Sequence, residues 1–287
     1  MIISASRRTD LPAQYCEWFL GRLKEGYAMT ANPRNPGQVK RVDLSPHAVD
    51  ALVIWTKNPL PLMDNLNHLR DYSCCFQFTL TSYSRDIEPG IPSKSTHLIP
   101  AFTSLARVFG PKSLVWRYDP ILISKRYSYS YHVKYFDEIA KRLEGSTDRC
   151  IISFMDFYRS AKKQAAALDI ADPSGSEKLA LAGELSRIAS RHGIKLFACC
   201  EELDMTPAGV LPSSCIDAAL LSEISGRDIN PGRDKNQRLG CGCAKSVDIG
   251  AYDSCPGGCI YCYATHSPAK VMQNMQRHDP SSPFLIP

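Results

Sequence analysis

Nowhere does the sequence reach the roughly 18 consecutive apolar residues that a membrane-spanning helix requires, so no membrane partner is expected. It also lacks any block of like charge. Lys and Arg number 34 against 29 Asp and Glu, a formal net charge of +5. That balance is too mild to demand a nucleic-acid partner and argues against a disordered basic tail. Internal repeats and low-complexity stretches are absent, which removes solenoid and fibrous architectures. The first residues, MIISASRRTD, put two arginines after a short apolar run. A secretory signal has the opposite order and a longer apolar stretch. A cytoplasmic globular protein of 287 residues is expected, and its 44% hydrophobic content is enough for a sizeable core.

Cysteine is the residue present in excess, at 12 positions. A disulfide framework does not suit a cytoplasmic chain of this size. The thiols are also uneven. Cys16, Cys74, Cys75 and Cys150 are scattered among apolar neighbours, whereas eight lie between Cys199 and Cys262 and five of those from Cys241 onward. Such crowding points to metal binding.

Short apolar runs at 2–5, 51–55, 75–80, 114–118, 150–154 and 195–199 read as strands. Longer amphipathic stretches at 11–24, 60–70, 97–108, 132–143, 158–168, 177–192 and 215–224 read as helices, with Ser176 as a cap and Gly193 closing the 177–192 stretch. The alternation predicts an α/β fold, a full or partial (β/α) barrel of about six parallel strands over residues 1–224; a doubly wound open sheet is the alternative. Residues 225–287 are rich in Gly, Pro, Asn and Cys and have little periodicity. They read as an irregular cysteine-rich segment that metal ligation would order and pack onto the barrel mouth. Polar residues follow the strands in turn: Arg7, Arg8 and Asp10; Lys57 and Asn58; Thr79 and Thr81; Arg117 and Asp119; Asp156; Cys199 and Glu201. In a parallel barrel these ends share one mouth, where sites form.

The sharpest motif is Cys255-Pro-Gly-Gly-Cys259-Ile-Tyr-Cys262. Three thiolates on one short loop can hold three irons of a cubane cluster and leave the fourth open. A zinc knuckle is the competing reading, with His266 four residues beyond. The motif, with an aromatic residue before its last cysteine, resembles the signature of the radical S-adenosylmethionine superfamily. The resemblance implies a 4Fe–4S cluster on Cys255, Cys259 and Cys262, with Tyr261 beside the adenine of S-adenosylmethionine and a 5′-deoxyadenosyl radical as the product of reductive cleavage. It also implies a reductant such as flavodoxin or ferredoxin. WTKNP at 55–59, WRYDP at 116–120 and CxYCYA at 259–264 are similar to motifs of the spore photoproduct lyase-like branch. Taken whole, with ISASRRTD at 3–10, ISFxDxY at 152–158, CID at 215–217 and QRxxCGC at 237–243, the chain closely resembles a bacterial family classified as a domain of unknown function. The cluster motif stands last instead of first, so the motif order resembles a circular permutation.

On that resemblance Glu201 is a candidate for the amino group of S-adenosylmethionine. Arg117 and Lys57 are candidates for its carboxylate or an anionic substrate, and Asp119 for orienting Arg117 or binding a ribose hydroxyl. Arg7, Arg8 and Asp10 are candidates for the substrate side. Cys199, Cys215, Cys241 and Cys243 make a possible second set of four thiolates, for an auxiliary cluster or a zinc ion, against the plain reading of buried thiols. Two alternatives to the enzyme remain open: an iron–sulfur electron carrier or redox sensor, and a zinc-stabilised nucleic-acid-binding protein. For the latter, Tyr127, Tyr129, Tyr131, Arg126 and His132 would stack on bases.

Overall fold

The computed structural model describes residues 1–155, 169–238 and 240–287. The chain begins with β1 (Ile2–Ala5), two short helices α1 (Leu11–Gln14) and α2 (Cys16–Glu25), and a hairpin of β2 (Tyr27–Asn32) and β3 (Asn35–Asp43). Then come β4 (Ala51–Thr56), α3 (Leu60–Met63), β5 (Cys74–Thr79), α4 (Ile99–Phe109), β6 (Leu114–Ile121), α5 (Tyr129–Leu143) and β7 (Arg149–Phe154). The remainder is α6 (Gly175–Arg191), β8 (Lys195–Cys199), β9 (Leu211–Ser213), α7 (Ala218–Ser225), β10 (Ser246–Asp248) and α8 (Pro268–Arg277). None of the described helices is long and apolar enough to cross a membrane.

Eight strands form one parallel sheet in the order β10-β1-β4-β5-β6-β7-β8-β9. The six apolar runs are its six longer strands. Two three-residue strands add its edges, and the edges are not paired with each other among the described residues. The sheet is therefore open, where a closed barrel was one expectation. Its order has no internal reversal, unlike that of a doubly wound sheet.

Both faces of the sheet are buried, which is why its strands read as unbroken apolar runs. Phe76, Phe78, Trp116, Ile152 and Leu196 pack against helix residues such as Phe19, Phe102, Phe136 and Leu185. The alternate residues Val53, Cys75, Val115, Ile151 and Cys199 face Leu220 and Leu221 of α7, Ile216, and Cys215, Cys241 and Cys243. That face is thus covered by residues 215–221 together with Ile229, Cys241, Cys243 and Ala244 of the irregular C-terminal segment.

Several local expectations change. The 11–24 stretch breaks at Tyr15, whose hydroxyl donates to Ser254 O (2.6 Å). Ser174, not Ser176, caps α6, in a reciprocal capping box with Glu177. Cys215 precedes α7, which Asp217 caps. The expected 132–143 helix begins earlier: Ser128 caps α5, which starts at Tyr129. The expected helix at 158–168 and Asp156 lie outside the described residues.

Within this core His132 is fully buried. Its Nε2 donates to Leu122 O (2.9 Å) and its Nδ1 accepts from the Tyr118 hydroxyl (2.9 Å). Burial lowers its pKa to about 4. A histidine that is harder to protonate folded than unfolded stabilises the fold fully above its unfolded pKa of about 6.5, and loses that contribution as pH falls through that value toward 4. Unfolding free energy should therefore fall by about 3 kcal/mol between pH 6.5 and 4 relative to a His132→Gln variant. Parallel pH profiles for the two proteins would disprove the assignment.

Candidate functional site

The carboxyl ends of the strands and the cysteine-rich segment enclose a cleft of about 510 Å³. Arg7, Lys57, Arg117 and Asp119 line it together with eight thiols: Cys199, Cys200, Cys215, Cys241, Cys243, Cys255, Cys259 and Cys262.

The segment after β1 anchors the cysteine-rich chain. Ser4 Oγ and the Arg7 amide donate to Asp248 Oδ2, both at 2.9 Å. Thr9 Oγ1 donates to Ala251 O (2.9 Å). Gly250 is needed here because a Cβ would lie 2.6 Å from Ser6 Cβ. Asp10 accepts from Thr56 Oγ1 and the Lys57 amide, both at 2.7 Å, and so ties β1 to β4. Much of the ISASRRTD motif therefore holds the sheet to its C-terminal cover. Arg7, Arg8 and Asp10, the candidates for the substrate side, all line the cleft, and the Arg7 guanidinium carbon is 5.9 Å from the Trp55 ring centre.

The three-cysteine loop is clamped from the other side. Gly90 N donates to Gly257 O (3.2 Å), and a Cβ on Gly90 would lie 2.8 Å from that oxygen. Backbone N–H groups of Asp10 and Gly257 point at the Cys255 sulfur. No hydrogen bond links the sulfurs of Cys255, Cys259 and Cys262 to one another among the described residues. Burial pushes the Cys255 thiol up to about 11 and Cys259 up to about 12. Binding a metal here would release protons, because thiolates are the ligand form. The donor set fits an iron–sulfur cluster: three thiols on one loop, main-chain N–H groups facing sulfur, and open space in front.

Beside this loop lies a buried polar knot. Glu88 Oε1 accepts from Lys57 Nζ (3.1 Å), and its Oε2 accepts from Thr81 Oγ1 (2.8 Å) and pairs with Lys94 Nζ (2.8 Å). The Tyr261 hydroxyl donates to Glu88 Oε1 and accepts from Lys57 Nζ (2.6 Å). Burial alone would raise the Glu88 pKa, but the two ammonium groups outweigh it and hold the carboxyl at about 2. Burial works against the Lys57 ammonium, yet Glu88, Cys259 and Asp119 together raise its pKa. Glu88 and Lys94 were not legible as site residues. An acid in the DIEPG turn reads as exposed, and only its four partners from elsewhere in the chain reveal it.

The predicted residues divide into two groups. Lys57 and Tyr261 stand by the three-cysteine loop. Arg117 is held at the second group of thiols: Nη1 donates to Gln77 Oε1 (3.3 Å) and Cys215 Sγ (3.2 Å), and Nε donates to Asp119 Oδ2 (3.0 Å). A bulge in β6 between Tyr118 and Ile121 falls at Asp119-Pro120, where proline cannot extend the ladder. Glu201 is not among the cleft-lining side chains; its Oε1 accepts from the Phe154 amide (2.7 Å). Among the base-stacking candidates Tyr129 is exposed, whereas two others are used in packing. Tyr127 and His132 are buried against Tyr83, and Arg126 pairs with Asp86 (3.0 Å).

Cys199, Cys215, Cys241 and Cys243 come together. Cys199 Sγ and Cys215 Sγ are 2.6 Å apart, and Cys243 is hydrogen-bonded to both Cys215 and Cys241. As they lie, no three described His, Cys, Asp or Glu side chains surround one metal position.

The fold and site together define an α/β protein with a thiol-lined cleft at the carboxyl edge of a parallel sheet. Residues 2–264 match the family described as a domain of unknown function, DUF1848, and the chain belongs to that family. No curated protein matches it.

Proposed function

We propose that the chain is an iron–sulfur enzyme of the radical S-adenosylmethionine kind. Cys255, Cys259 and Cys262 would hold a 4Fe–4S cluster, and the cleft would take S-adenosylmethionine and a substrate. The observation that carries this reading is the setting of the CxxxCxxC loop. It lines a cleft of ligand size at the carboxyl ends of parallel strands, clamped by Gly90 and faced by main-chain N–H groups. The unreversed strand order, with β10 returning beside β1, supports an incomplete (β/α) barrel. In that arrangement the body of residues 1–224 precedes a cluster-bearing segment, 225–287.

When bound, the cluster would supply the electron that cleaves the sulfonium of S-adenosylmethionine, taken in turn from an external one-electron reductant. The chain's own residues do the rest. Lys57, kept charged by Glu88, meets a carboxylate beside Cys259. Asp119, braced by Arg117, offers an acceptor for an amino or hydroxyl group.

The test is anaerobic reconstitution, then titration of S-adenosylmethionine into dithionite-reduced protein while the cluster's electron paramagnetic resonance signal is followed. The signal should shift on binding. Cys259→Ala should abolish it. Lys57→Gln should keep the iron but weaken binding by about 1–3 kcal/mol, as expected for a lost charged hydrogen-bond partner. A wild-type cluster blind to S-adenosylmethionine would leave the carrier or sensor reading in its place.

A further inference from the structure

We infer that Cys199, Cys215, Cys241 and Cys243 bind a single zinc-type divalent ion as a tetrathiolate clasp, chemically distinct from the cluster loop. The four come from three separate places: the last residue of β8, the loop before α7, and the loop at 241–243. All are buried, at 8%, 9%, 7% and 1% exposure. As they lie no three of them surround one position, but four thiols from three chain segments meeting in one buried knot are a ligand-type donor set that scattered core cysteines do not make.

Spacing selects the kind of centre. Zinc–sulfur bonds of about 2.3 Å set tetrahedral sulfurs roughly 3.8 Å apart. Cys199 and Cys215 stand at 2.6 Å, with Cys243 and Cys241 continuing the contact. An outward movement of about an ångström admits one ion. A cubane needs its cysteine sulfurs spread around a cage of several irons and sulfides, a much larger displacement from the 2.6 Å contact than one ion requires. The loop at 255–262 is the contrast, since no hydrogen bond joins its sulfurs among the described residues.

The surroundings suit a doubly negative tetrathiolate. Arg117 Nη1 reaches Cys215 Sγ at 3.2 Å, and the Ile216 N–H faces the Cys243 sulfur. The Arg117–Asp119 pair, with Gln77 behind it, fixes the guanidinium in place. Gln77 Nε2 also donates to Cys215 O (3.0 Å), and Arg233 Nε to Cys241 O (2.8 Å), so the ligand-bearing loops are themselves pinned. The ion would fasten the irregular segment to β8 near one edge of the sheet, before the chain crosses to pair β10 with β1 at the other.

This inference does not rest on the iron–sulfur reading, and one experiment separates them. The chain is purified without oxygen and its zinc, iron and sulfide are counted. The Cys255→Ala/Cys259→Ala/Cys262→Ala variant should retain about one zinc per chain and no iron. The Cys241→Ser/Cys243→Ser variant should lose the zinc and still accept iron on reconstitution. If the serine variant does not fold, cobalt(II) exchanged into the triple-alanine variant should give the visible bands of a tetrahedral tetrathiolate. If the triple variant is insoluble, zinc counted beside iron in the wild type decides. Iron and sulfide at this site, a metal-free chain, or a Cys199–Cys215 disulfide found by mass would each overturn the proposal. Absence of iron from the wild type would instead count against the cluster alone.

Discussion

Replacing Glu88 by alanine should destabilise the protein by about 3–5 kcal/mol, the range for breaking a buried ion pair from one side. Glu88 is 1% exposed and is the shared counter-ion of Lys57 and Lys94, each only 19% exposed at the side chain. Without it two ammonium groups stand together without their carboxylate, and the hydroxyls of Thr81 and Tyr261 lose their acceptor. The pH profile gives a second readout. The Glu88 carboxyl, held at about 2, lies below its ordinary value near 4.5. A group depressed in this way stabilises the fold above the unfolded pKa and stops doing so as pH falls through the folded one. Wild type should therefore lose about 3 kcal/mol between pH 4.5 and 2 that Glu88→Ala never had. Denaturant unfolding across that range measures both effects. A loss under about 1 kcal/mol at neutral pH would mean that the lysines simply turn to water, as at an exposed pair.

Gly90→Ala and Gly21→Ala should change stability in opposite directions. At Gly90 the new methyl would stand 2.8 Å from Gly257 O and 3.2 Å from Gly257 Cα, both main-chain atoms of the three-cysteine loop. Backbone cannot swing aside as a side-chain tip can, so the loop must shift, at about 1–3 kcal/mol. Because Gly257 lies between Cys255 and Cys259, iron retention should fall as well. Gly21 sits within α2, and nothing comes within 4 Å of its Cβ position. There alanine should add about 0.5–1 kcal/mol through helix propensity alone. Thermal unfolding of both variants, with iron counted after reconstitution, tests the pair. Equal effects of the two substitutions would refute the close packing of residues 90 and 257.

The six longer strands were legible because a strand covered on both faces must be apolar throughout, and runs such as Ala51–Thr56 and Cys74–Thr79 are nearly so. The hairpin of β2 and β3 was not legible. Asn35–Asp43 is mostly exposed, so no burial imprints a pattern on it. Helix α8 was hidden for a related reason: only Val271 and Asn274 of its ten residues are buried.

By itself the sequence determined the α/β class, the parallel strands and the positions of the possible sulfur donors. Apolar periodicity and residue chemistry are local properties, written at each position. Which donors stand together was decided only by tertiary structure. Arg117 was a candidate for a carboxylate or an anionic substrate; tertiary structure sets its fork between Asp119 and Cys215, a contact no local pattern announces. Glu88 acquired its importance in the same way, from Lys57, Lys94, Thr81 and Tyr261 converging on one buried carboxylate. Charge burial depends on what the rest of the chain brings to a point in space, and no local pattern encodes that.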